Sequence, residues 1–292
     1  MKGFLPAVPS TCTPPGLRIS SSVTPKKALF SKSLSAPCRL HFADERVIAC
    51  CGADSGISLG KPRRVQPNEE LELHASQEGC RCWLAIAGGI EVAQILGSRA
   101  TDLRGHFGGF EGRALRDGDE LPLGEPSSSL QFSGRTAGWL APNEWAETAS
   151  SYPVLGVVPG SEWDNFTAAA QADFLGEHFI VRREADRMGA RLAGAKLART
   201  REKELLSEAV TPGTIQVAGD GQPILLLGDC QTIGGYPKIA HVITVDLPRA
   251  AQLRPNDEVR FEMRSHEEAR ALFAARERDL ERFRLGLKLR SA

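Results

Sequence analysis

Turn signals recur about every ten residues between Arg39 and Leu123, a cadence that leaves room for short strands and little else. Gly52-Ala53-Asp54, Pro67-Asn68-Glu69, Gln77-Glu78-Gly79 and Asp117-Gly118-Asp119 punctuate β-rich runs. Arg39-Leu40-His41-Phe42 and Arg46-Val47-Ile48-Ala49-Cys50 are two of these runs. Glu70-Leu71-Glu72-Leu73-His74 alternates strictly, as a half-buried strand does. Cys82 to Ala87 is an apolar run closed by Gly88-Gly89. The pattern argues for a sandwich or barrel.

The second half continues in the same way. Strand-like runs occupy 152–158, 179–182, 214–217, 223–227, 240–245 and 258–263. Helix is expected at two places. Asn165 to Leu175 carries Phe166, Ala170 and Phe174 at helical spacing. Ser265 followed by Glu268 forms a capping box ahead of Leu272, Phe273, Leu280 and Phe283, which predicts a C-terminal helix. The fold class read from the chain is therefore all-β, in two barrel-like halves with a few helices.

Composition sets the boundaries. Residues 1–37 contain no Asp or Glu and are rich in Ser and Pro. A Ser-rich, acid-poor stretch suits a transit peptide, but Pro6, Pro9, Pro14 and Pro15 break the amphipathic helix one needs, so 1–37 is read as a divergent, poorly ordered N-terminus. Residues 38–123 form the first β subdomain. Residues 124–150, with Gly124-Glu125-Pro126-Ser127-Ser128-Ser129, form a linker. Residues 151–292 form the second subdomain with its C-terminal helix.

Several function classes are excluded. Lys plus Arg and Asp plus Glu both number 36, so there is no basic excess to hold nucleic acid. Runs such as Ile224-Leu225-Leu226-Leu227 fall far short of the ~20 apolar residues a bilayer needs. The seven cysteines are odd in number, and Cys50-Cys51 are adjacent, which suits a reducing cytoplasm. Cys80-Arg81-Cys82 has no second pair to complete a zinc site, so no metal is expected. Neither a phosphate-binding glycine motif nor a G-x-S-x-G elbow occurs.

The densest chemistry lies between Asp229 and Ala240. Gly234-Gly235 frees the backbone, and Tyr236-Pro237 imposes an extended exit. The loop presents Gln231, Tyr236 and Lys238, with a lysine point charge and backbone N–H groups that suit a carboxylate, carbamoyl or phosphate group. A β-hairpin with structural glycines fits the same composition equally well. Asp186-Arg187 before Gly189 reads either as charge recognition or as a turn-capping salt bridge. Glu208, after Ser207, reads either as a general base or substrate anchor or as a solvated carboxylate. Cys230 reads as a structural thiol. Arg99 and Asp102 are candidates for a local ion pair.

Taken in order, the motifs resemble a known family. The first half carries Trp83-Leu84-Ala85-Ile86-Ala87-Gly88-Gly89-Ile90, Leu96-Gly97-Ser98-Arg99-Ala100-Thr101, Gly108-Gly109-Phe110 and Gly112-Arg113-Ala114-Leu115. The second carries Asp186-Arg187-Met188-Gly189, Glu204-Leu205-Leu206-Ser207-Glu208, Ile215-Gln216-Val217, Asp220-Gly221-Gln222-Pro223-Ile224 and Gln231 through Ala240. Leu247-Pro248-Arg249 and Gln252-Leu253-Arg254-Pro255 follow. Over about 38–275 this resembles the biotin-dependent carboxyltransferase family, also called allophanate hydrolase subunit 2, and is close to the C subunit of 5-oxoprolinase. Cys230 stands where the family commonly has Arg, and Ala209 where it commonly has Gly. The family's N-terminal Gln-Asp-Leu-Gly-Arg stretch has no counterpart here.

The resemblance implies two cyclophilin-like β-barrel subdomains. It implies a cytoplasmic subunit of an ATP-dependent 5-oxoprolinase, opening 5-oxoproline to glutamate. The implied partners are a sister carboxyltransferase-like protein (the B type of 5-oxoprolinase) and a third protein of the A type, with ATP shared among them. Two alternatives stay open. One is a carboxyltransferase acting on a urea-like amide with biotin carried by another chain; the other is a non-catalytic regulatory partner. The expected catalytic residues are Lys238, Glu208 and Tyr236. Gln231, Arg187, Asp186, Gly234 and Gly235 are expected to bind substrate.

Overall fold

The computed structural model describes residues 16–20, 38–126, 134–146, 152–201 and 205–290. The chain is mostly β and falls into two compact units, the first within Met1–Thr148 and the second within Ala149–Lys288. The first unit contains β1 (Gly16–Ser20), β2 (Cys38–Phe42), β3 (Arg46–Gly52), β4 (Arg63–Val65), β5 (Glu70–Leu73) and β6 (Cys82–Ile86). It continues with β7 (Thr101–Asp102), β8 (Phe107–Gly108), β9 (Glu120–Pro122) and the short helix α1 (Asn143–Ala146).

These strands form a four-stranded sheet, β5-β2-β1-β9, and a three-stranded sheet, β4-β3-β6, with β7 and β8 as a separate hairpin. The cause is visible in the period-two pattern. Along β3 the burial alternates without a break, and its inward residues Ile48 and Cys50 join Leu40, Leu84 and Leu121 in one core. Two segments differ from their sequence reading. Gly16–Ser20, inside the stretch read as a divergent, poorly ordered N-terminus, pairs with both β2 and β9, so its backbone groups are satisfied on both sides. Within the stretch read as a linker, residues 134–146 tie back to the first unit: Thr136 bridges Arg63, and the N–H groups of Ala137 and Ala141 donate to Pro62 and Gly60.

The second unit contains β10 (Val154–Pro159), a 3₁₀ turn (Trp163–Asn165), α2 (Ala168–Gly176), β11 (Phe179–Val181), β12 (Gly189–Ala193), β13 (Glu208–Ala209) and β14 (Thr214–Val217). Then come β15 (Pro223–Leu226), β16 (Ile233–Gly234), β17 (Lys238–Val242), α3 (Leu247–Ala250), β18 (Glu258–Met263) and α4 (His266–Arg290). Seven of these strands close into a barrel in the order β10-β17-β14-β15-β12-β11-β18. β10 and β18 run parallel where the barrel closes, and every other pairing around it is antiparallel.

The barrel core is aromatic at one end. Phe174 of α2 stacks on Phe261 at 4.6 Å, and Phe179 tilts against both. Thr167 caps α2 by accepting from the Ala170 N–H. At α4 the capping box closes in both directions: Ser265 N–H donates to Glu268 and Glu268 N–H donates to Ser265 Oγ. Among the described residues no helix is long and apolar enough to cross a membrane.

Candidate functional site

β17 opens on Lys238, whose direction is set by a slip in register. Ile215 of β14 pairs with Ala240, but the next residue, Gln216, pairs with Lys238, so β17 carries one extra residue. Ile239 and Ala240 therefore both reach the barrel core. Lys238 lies instead among carboxylates, with 6% of its side chain exposed.

The first carboxylate is Glu162, buried in the loop after β10. Its Oε2 accepts from the Lys238 backbone N–H at 2.7 Å and lies 3.4 Å from Lys238 Nζ. The loop reaches this far because residue 160 is glycine. Gly160 N–H donates to Ile239 O, and a Cβ at position 160 would stand 2.1 Å from Lys238 O. The second carboxylate is Glu208, 2.9 Å from Nζ and 60% exposed at its side chain.

Glu208 arrives on a two-stranded ribbon. β13 pairs with β16, placing Glu208 opposite Gly234 and Ala209 opposite Ile233. The ribbon rests on Gln216, because a Cβ on Gly234 would lie 2.7 Å from Gln216 Nε2. Gln216 is buried and donates Nε2–H to the Tyr236 carbonyl. Gly235 packs toward Ser207. Further along the same strand pair, Thr214 Oγ1 and His241 Nδ1 are 3.2 Å apart.

Electrostatics separates these groups. Burial opposes the Lys238 charge, but the Glu208 hydrogen bond and the Glu162 and Glu208 charges outweigh it and hold the pKa above the usual lysine range. Lys238 is thus a permanent cation at neutral pH. Burial first, and then the Lys238 charge, hold His241 below its usual range, so this imidazole is neutral at pH 7.

The structure brings Lys238, Glu208, Gly234, Gly235 and Tyr236 into one neighbourhood. The Tyr236 ring is half exposed, and Gln231 is exposed on the loop before β16. Arg187 and Asp186 belong to a turn entering β12. The Arg187 guanidinium closes on Asp229 in a two-point pair at 2.6 and 3.0 Å, so the group expected to hold a substrate carboxylate already holds one from this chain. Asp186 Oδ1 accepts from the Met188 and Gly189 N–H groups. Burial raises the Cys230 thiol pKa, as suits a structural thiol.

Sequence reasoning missed Glu162, Gln216 and His241. Pro159-Gly160 is a turn sequence, but nothing local links it to a lysine 78 positions further on, since Gly160 and Lys238 meet only through the pairing of β10 with β17. Gln216 was visible only as a polar residue between apolar neighbours in a strand. Among the described residues no cluster of His, Cys, Asp and Glu suits a metal.

Comparison with known proteins returns one consistent set. Residues 33–263 match the family described as "Carboxyltransferase domain, subdomain A and B". The chain is 37% identical over 217 residues to the C subunit of 5-oxoprolinase from Escherichia coli (strain K12), covering 74% of this chain and 66% of that one. It is 35% identical over 209 residues to the C subunit of 5-oxoprolinase from Haemophilus influenzae, covering 72% of this chain and 64% of that one. The chain thus spans slightly less than two thirds of the length of these relatives. Among solved structures, the urea amidolyase of K. lactis matches with a TM-score of 0.74 at 29% identity, over 84% of this chain and 16% of that one.

Proposed function

The chain belongs to the carboxyltransferase domain family with subdomains A and B, and from that membership we propose that it is a cytoplasmic subunit of an ATP-dependent 5-oxoprolinase, working with a sister subunit on a cyclic amide. One observation carries the reading. Lys238 Nζ and Glu208 Oε2 lie 2.9 Å apart, a fixed donor beside a fixed acceptor. A lactam is a cis amide, and it presents its N–H and C=O on one edge. That edge is complementary to this pair.

The chemistry follows from charge. Opening a lactam builds negative charge on the carbonyl oxygen. Lys238 has three N–H donors and two carboxylate neighbours, which leaves one donor for that oxygen. The Glu162 carboxylate holds Lys238 at both its backbone N–H and its ammonium, so the donor is positioned before substrate arrives. Glu208, the exposed member, accepts the lactam N–H or a proton from the attacking water. Gly234 and Gly235 keep the ribbon thin beside it, and Tyr236 and Gln231 line the approach.

These residues do not fit a triphosphate. The Lys238 ammonium is already shared between two carboxylates, which repel phosphate, and the glycines lead into a strand rather than a helix N-terminus. No step is therefore routed through ATP in this chain, and its handling falls to another subunit. A second reading, transfer of a carboxyl group to a urea-like amide from biotin on another chain, draws on the likeness to the urea amidolyase fold. The donor–acceptor pair serves that amide as well.

Activity of the reconstituted assembly decides. Glu208→Gln and Lys238→Met are each expected to lower kcat with 5-oxoproline by roughly 10²–10³-fold, the usual cost of removing one preorganised electrostatic group. Glu208→Gln should melt near the parent temperature because its side chain is mostly exposed. Full activity in both variants would remove the reason to place the reaction here. Turnover of urea and not of 5-oxoproline would select the second reading.

A further inference from the structure

The first unit contains a cavity of about 310 Å³ with no part in the lactam reading. Its volume lies at the small end of the ~300–1,000 Å³ typical of small-molecule sites. Ile86 and Leu115 of the core form part of its wall, with Ile90 and Phe110 packed against that core. Two polar side chains, Arg99 and Thr101, also line it.

Arg99 is oriented without being neutralised. Its Nε–H donates to the Val92 carbonyl at 3.1 Å, which orients the guanidinium. No carboxylate pairs with it among the described residues. Asp102, the partner expected from sequence, is turned away and accepts from the Arg104 and Gly105 N–H groups at 2.9 Å each. The cavity lining contains a cation and no acid.

The segments that carry the lining residues are also unusual. Leu96, His106 and Glu111, a few positions along the chain from Arg99, Gly109 and Phe110, adopt φ of 51°, 55° and 54°, in the left-handed region that side chains avoid. A Cβ at Gly109 would stand 1.8 Å from Thr101 Oγ1, so only glycine lets the β7–β8 hairpin lie against that hydroxyl. Strain of this kind persists where surrounding structure over-determines it, and it clusters at ligand sites.

We propose that this cavity binds a small monocarboxylate with an apolar body, Arg99 taking the carboxylate and the body lying against Ile90 and Phe110. The cation and the lack of acids select an anion. The apolar walls select a hydrocarbon ring or chain over a sugar or nucleotide. A single guanidinium, with only one hydroxyl besides, matches a planar monoanion better than a phosphate dianion.

The test titrates the full chain with cyclopentanecarboxylate by calorimetry, beside cyclopentanecarboxamide and inorganic phosphate. The carboxylate is expected to bind saturably, and Arg99→Gln to weaken it by roughly tenfold or more, the worth of one charge-assisted pair. The neutral carboxamide and phosphate should each bind at least about tenfold more weakly than the carboxylate. Failure of the carboxylate to saturate, equal binding by Arg99→Gln, or equal affinity for the carboxamide or for phosphate would overturn the proposal. Should Arg99→Gln fail to fold, the parent chain's preference for carboxylate over carboxamide decides alone.

Discussion

Lys238 is held between two carboxylates of very different exposure, and that asymmetry shapes its neighbours. Its charge reaches His241 and helps hold that imidazole neutral, with burial the larger cause and Glu162 pulling the other way. A histidine whose folded pKa is depressed binds fewer protons folded than unfolded. Its contribution to stability is complete above the unfolded value of about 6.5 and is lost as pH falls through the lower folded value. Thermal melts from pH 8 to pH 5 should therefore show the second unit weakening below about pH 6.5. His241→Gln should flatten that part of the profile. An unchanged slope would mean other groups carry it. Lys238 behaves oppositely: its pKa is raised, so its stabilising contribution persists through neutral pH and is lost only in strong alkali. The candidates Lys238 and Tyr236 were picked out in the sequence because a glycine pair, a proline and a lone lysine fall within a few positions, whereas Glu208 lies 30 positions from Lys238 and only the structure brings the two together. Glu162 was not legible, because its partner is distant in the chain and a glutamate after a turn usually faces water.

At the scale of elements, the second unit depends on places where backbone approaches backbone. The loop after β10 makes three hydrogen bonds to β17, through the Gly160 N–H, the Glu162 N–H and the Glu162 carboxylate, and that carboxylate positions Lys238. Gly160→Ala would drive a Cβ into the Lys238 carbonyl, a backbone atom that has no rotamer to escape into. The substitution should destabilise the second unit by about 1–3 kcal/mol, as overpacking does, and detach Glu162 from Lys238. Urea denaturation measures the first effect, and a downward shift in the Lys238 pKa by NMR measures the second. Parent-like values of both would show that the loop can move aside. The strands that alternate, such as β3 and β5, were readable from pattern alone. β12 was not, since Gly189-Ala190-Arg191-Leu192-Ala193 has weak strand propensity and pairs with β11 and β15 only because the barrel closes around it. The β13–β16 ribbon has two residues per strand, too few to show a period.

For the whole molecule, the proposed function is that of a chain working in company: a donor–acceptor pair suited to an amide stands beside a lysine already shared between two carboxylates, which would repel a triphosphate. Mixing it with a sister protein of the 5-oxoprolinase B type should give one earlier-eluting species on size exclusion. Separate elution at micromolar concentrations, together with full lactam hydrolysis by the lone chain, would contradict this. The sequence by itself determined that the protein is mostly β with a capped C-terminal helix, because turn residues, alternation and capping are short-range effects acting within a few residues. It also determined the family, through motifs kept in order along most of the chain. Only the tertiary structure decided that the second unit closes into a seven-stranded barrel, that Arg187 is occupied by Asp229, and that Glu162 clamps Lys238. The Arg187–Asp229 pair spans 42 positions and the Glu162–Lys238 contact 76. Pairings at that range are set by barrel closure and burial, and no local pattern encodes which distant partner a polar group will meet.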